Sequence, residues 1–135
     1  MRVKCVEIRD ASGRVRTGVR ELTVGCEYVV TCISVISGQD VRLRVVEDPF
    51  STDDTHLPAM WPASMFELVS GEIPASWRIR LGAGGSAGFL QIAPESWLRD
   101  GFWDDLFDWS PTTEAAFESY RREIEIMLAG DRGHD

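Results

Sequence analysis

The chain has 135 residues, 44% of them hydrophobic and 27% charged, with a formal net charge of −8. That apolar and aromatic content excludes disorder over the whole length, and no apolar run approaches the ~18 residues that a membrane helix needs. The start, Met1 to Ile8, alternates like a strand and lacks the apolar block of a signal peptide, so the expectation is one soluble cytoplasmic domain over 1–130 with a disordered tail at 131–135.

The elements follow in chain order. Val3 to Ile8 reads as a strand and Asp10-Ala-Ser-Gly13 as a turn, with a looser second strand between Arg14 and Leu22. Tyr28 to Ile36 is rich in β-branched residues and apolar on both faces, as a central strand is. Ser37-Gly-Gln-Asp40 turns the chain into Val41 to Glu47, where Val41, Leu43 and Val45 share one face and Arg42 and Arg44 the other. Residues 48–63 form a long polar, Pro-containing connection, a length that in a compact domain often serves function. Met65 to Val69 is the next strand. Trp77 to Leu81 and Phe89 to Ala93 form a second hairpin around the glycine loop 82–88.

The period then changes. Pro94 to Trp97 starts a short helical or irregular piece, and Phe102, Trp103, Leu106 and Phe107 fall on one helical face. Ser110 and Pro111 are a cap and a first helical residue. Phe117, Tyr120, Ile124, Met127 and Leu128 are the apolar stripe of a helix over 111–129, with Gly130 as its stop. Strands first and helix last define an α+β fold: a small antiparallel β-barrel or strongly curved sheet of about six or seven strands, then a short helix and a C-terminal amphipathic helix. The turn pattern from Leu22-x-x-Gly25-x-x-Tyr28 through Met65-Phe-Glu-Leu-Val69 resembles an SH3-like small barrel over 22–70.

The catalytic inventory is thin. Gly82-Ala-Gly84-Gly-Ser-Ala87 fits a dinucleotide fingerprint on paper, but the strand Phe89 to Ala93 follows where the mechanism needs a helix N-terminus, so it reads as a flexible hairpin loop. Asp53-Asp54-Thr-His56 offers two carboxylates and an imidazole, but it lies in a loop and lacks a second His or Glu at helical spacing, so it reads as a solvated polar loop rather than a metal site. His56 is the sole histidine in the body of the chain, and no Gly-x-Ser-x-Gly elbow is present. Cys5, Cys26 and Cys32 are odd in number and form no Cys-x-x-Cys pair, so a disulfide framework and a structural zinc are not expected. The chain is read as a non-enzyme with no cofactor and no metal. A small enzyme or ligand binder with 48–63 as a lid is the competing class, and a housekeeping module a third.

Charge and aromatics concentrate instead. Residues 1–46 hold eight Lys/Arg against five Asp/Glu, and residues 47–135 six against seventeen, so the second part carries −11. Such a surface repels phosphate backbones, which argues against direct nucleic-acid binding, and suits a basic protein partner. Three Trp, two Phe and four Asp share Trp97 to Trp109. Asp100, Asp104, Asp105 and Asp108 are the candidate partner-facing charges, Trp103 and Trp109 the candidate anchors, and Trp61 in the long connection a further one. The oligomeric state is not legible.

The order Pro94-x-x-Trp97, Gly101-Phe-Trp-Asp-Asp105, Tyr120-x-x-Glu123, in an acidic chain with thirteen Arg, one Lys and no Asn, resembles small immunity proteins of bacterial polymorphic-toxin systems. That resemblance covers about a third of the chain. It implies a stoichiometric inhibitor that masks a toxin or nuclease, and a phage-encoded inhibitor of a defence nuclease would use the same physics.

Overall fold

The computed structural model describes residues 1–10, 12–16, 19, 21–48, 59–84, 87–99, 102–107 and 111–132. The side chains of 83, 84, 87, 104, 105, 107, 111–117, 131 and 132 lie outside that description.

The fold is α+β, with an antiparallel sheet followed by helices. The strands are β1 (Arg2–Cys5), β2 (Ile8–Arg9), β3 (Val15–Arg16), β4 (Glu27–Ile36), β5 (Arg42–Val45), β6 (Trp61–Pro62), β7 (Phe66–Ser70), β8 (Trp77–Gly84) and β9 (Ala87–Pro94). The helices are α1 (Phe102–Phe107) and α2 (Pro111–Arg132), and short 3-10 turns cover Ala63–Met65 and Glu95–Trp97. Among the described residues, β2 and β3 pair as a small hairpin and the other seven strands make one sheet.

β4 organises that sheet because it is ten residues long and rich in β-branched residues. β5 runs along one edge of β4, joined by a turn whose Gly38 takes φ +79°, a conformation that favours glycine. The other edge is shared: β1 pairs with the start of β4 (Val3↔Tyr28) and β9 with its end (Ile33↔Ile92). The sheet therefore forks, with β7 beyond β1 and β8 beyond β9.

Strands β6 and β7 end the path β6-β5-β4-β1-β7, yet only the turn Ala63–Met65 separates them. Three residues of 3-10 helix rise about 6 Å, whereas four strand spacings in a flat sheet span about 19 Å. The sheet must curl strongly to bring its ends together. It does not close: among the described residues no ladder joins β6 to β7, so the SH3-like barrel expectation gives way to a curled, forked sheet.

Inside the curl Val3, Tyr28, Val30, Val45 and Met65 are buried together. A bulge between Val30 and Cys32 turns the parity of β4, so Ile33 rather than Cys32 follows Val30 on that inner face. α1 and α2 pack against each other, and α2 crosses β4. Tyr120, Ile124 and Met127 of the predicted stripe are buried.

Three further expectations needed correction. The strand over Val3 to Ile8 is two strands broken at Val6–Glu7, because Val6 N–H leaves the ladder for the Met65 carbonyl. Gly130 does not stop α2, which continues to Arg132; a glycine ends a helix only where the chain takes the left-handed cap, and Gly130 keeps negative φ. The glycine loop is mostly ladder, paired up to Gly84↔Ala87. Gly82 sits under the ring of its cross-strand partner Phe89, in space a Cβ would fill at 1.8 Å from the ring. Glycine there makes room for an aromatic ring.

Candidate partner-binding site

Trp97 is fully buried and nucleates an aromatic cluster. Its ring stacks on Tyr120 at 5.1 Å (25°) and on Phe102 at 6.2 Å (13°), and meets the edge of Trp103 at 5.8 Å (71°). Phe102 and Leu106, one turn apart, fix α1 to this floor, and both are buried. A six-residue helix has too few internal bonds to hold itself, so these contacts hold it.

Trp103 is half-buried. Besides the cluster, it lies under the Arg44 guanidinium, whose Cζ is 4.1 Å from the ring centroid. Arg44 itself is largely enclosed, and burial lowers its pKa while Cys32, Tyr120 and Glu47 raise it. A guanidinium stays charged in such a setting, so the ring face and these neighbours compensate its lost hydration. Burial pushes the Tyr120 hydroxyl up, opposed by Arg44, and pushes the Cys32 thiol up to about 11. The Gln91 amide lies 3.5 Å from the Cys32 sulfur.

Trp61 stands at the other end of the same group of charges. It is half-buried, paired with Leu43, and its Nε1–H donates to Glu47 Oε2 at 2.5 Å. Glu47 is buried, and it also accepts the Ala59 N–H at 3.0 Å. Glu47 thus lies between two of the predicted anchors: it accepts from Trp61, and its charge acts on the Arg44 guanidinium that lies on Trp103. The sequence reading did not single out that pair. Its signal was present: Arg44 alternates with Leu43 and Val45, and Glu47 closes the run. Only the helices reveal that the arginine side is covered.

Of the predicted charges, Asp104 and Asp105 belong to the backbone of α1. Asp100, Asp108 and Trp109 lie outside the described residues, as do Asp53 to His56. Among the described residues no group of three His, Cys, Asp or Glu is placed to hold a metal, and no helix is long and apolar enough to cross a membrane.

This arrangement defines a class in structural terms alone: a forked, curled antiparallel sheet with an aromatic-anchored acidic helix segment on its outer face. Comparison of the chain with protein-family models, with curated proteins and with solved structures finds no match.

Proposed function

We propose that this protein is a non-catalytic, immunity-type inhibitor that acts in the cytoplasm by occluding a basic protein, such as a toxin or nuclease. The observation that carries the reading is the way α1 is held. Phe102, Trp103 and Leu106 pack on an aromatic floor, within a stretch of thirteen residues that contains four aspartates. A cluster of aspartates steers a cationic partner at high rate. Trp103, half-buried and backed by Arg44, is the aromatic anchor at the centre, and Trp61 supports the same region through Glu47. The net charge of −8 disfavours phosphate backbones as the direct ligand.

The test is affinity capture from the source cells with two baits, the native chain and Asp104→Asn/Asp105→Asn/Asp108→Asn. A strongly basic protein retained by the native bait, released by salt, lost from the variant and inhibited by the native chain supports the reading. Equal capture by both baits, or capture without inhibition, refutes it.

A further inference from the structure

The two faces of the four-stranded portion β5-β4-β9-β8 are composed oppositely. On one face the register places Arg42, Ser34, Gln91 and Arg80 in a single cross-strand row. That polar face carries the helical layer: Arg44 lies on Trp103, and Arg80 donates to the Leu98 carbonyl at 2.9 Å. On the other face Leu43, Ile33, Ile92 and Ile79 form one row, and Val35, Leu90 and Leu81 the next.

This aliphatic face is covered at one end only. Leu43, next to the curled interior, is 4% exposed, whereas Ile79 is 63% and Leu81 76% exposed on β8. The cover ends partway along β8: Trp77, on the same face at the start of the strand, is buried, and Ile79 and Leu81 beyond it are bare. The bare aliphatic area is on the order of 400 Å², as large as the largest apolar patch of a typical monomer.

We propose that this face is a homodimer interface, occupied by the same face of a second copy of the chain. The composition of the face, the way sheets pack and the area available select that occupant. Both rows are purely aliphatic, with no charged or hydrogen-bonding side chain, and interfaces between identical subunits are the more apolar class. Sheets pack face to face about 10 Å apart at a small angle, which a two-fold axis allows. With its rim, such a pair buries on the order of 1,000 Å² in total, the lower bound of a specific interface. Edge pairing of two β8 strands antiparallel about Ile79 is disfavoured, because it sets Arg78 of one copy against Arg80 of the other.

The experiment is sedimentation velocity on the full chain at concentrations up to the order of 100 μM, where an interface of this size is populated. The native chain is expected at twice the mass of one chain. Ile79→Glu/Leu81→Glu is expected at the mass of one chain, with unchanged circular dichroism. Leu68→Glu, on the equally exposed but separate strand β7, is expected to stay dimeric. Should the double variant fail to fold, Leu81→Asp at the most exposed position is read instead, and at least a tenfold weaker self-association is expected. A native chain of single mass, a double or Leu81→Asp variant that dimerises as the native chain does, or dissociation by Leu68→Glu overturns the proposal.

Discussion

Cys26 is exposed while Cys5 and Cys32, which the sequence places inside strand-like runs, are buried, so the three thiols differ in chemistry. Burial raises both inner thiols, Cys32 to about 11, so neither supplies thiolate near neutral pH. Iodoacetamide is expected to add one label to the folded chain, at Cys26, and three labels in denaturant; labelling of Cys32 at the rate of Cys26 would contradict the burial. Tyr28 makes a second residue-level case. Its hydroxyl donates to Asp48 Oδ2 at 2.5 Å and accepts the Thr23 N–H at 2.7 Å, tying two loops to the central strand. Burial, with Asp48 adding to it, pushes the phenol up to about 12. A pKa raised on folding gives stability that is fully present below the unfolded value near 10 and lost as pH rises through 12. Tyr28→Phe is expected to cost about 1–2 kcal/mol at neutral pH. Chemical denaturation between pH 9 and 12 is expected to show a shallower alkaline loss for the variant than for the native chain, and equal slopes would count against it.

The elements differ in how far the sequence exposes them. The hairpin of β4 and β5 is legible because alternation and turn residues agree, and α2 because its stripe and Pro111 agree. The fork is not legible, since nothing in β4 alone says that two strands share one of its edges. The extension of β8 and β9 through glycines is hidden for a related reason: Gly82 is chosen by Phe89 seven residues away. Gly82→Ala is therefore expected to displace that ring and lower the melting temperature, whereas an unchanged melt would remove the packing argument. At the candidate site, the aromatic block stood out in the sequence, but the division of its tryptophans did not. Trp97 is core, and Trp103 shields Arg44 at the surface. Trp103→Ala is expected to cost on the order of 2–3 kcal/mol of stability in addition to any loss of binding, measured by denaturant unfolding. An unchanged midpoint would show that the Arg44 contact contributes nothing.

For the molecule as a whole, two surfaces of opposite chemistry carry the account. The aliphatic face of β9 and β8 is assigned to a second copy, and the acidic segment around α1 to a basic partner. They lie on opposite sides of the same four strands, so each copy in a dimer keeps its α1 available. Charge and anchoring act differently in the proposed inhibitor: aspartates govern how fast the complex forms, and Trp103 how long it lasts. The direct measurement is the association rate with the captured basic partner as a function of salt, for the native chain and for Asp104→Asn/Asp105→Asn/Asp108→Asn. The account predicts a fast native rate that falls steeply with ionic strength, and a variant that is folded, slower and nearly flat in salt. A variant with the native on-rate and the native salt slope would contradict it.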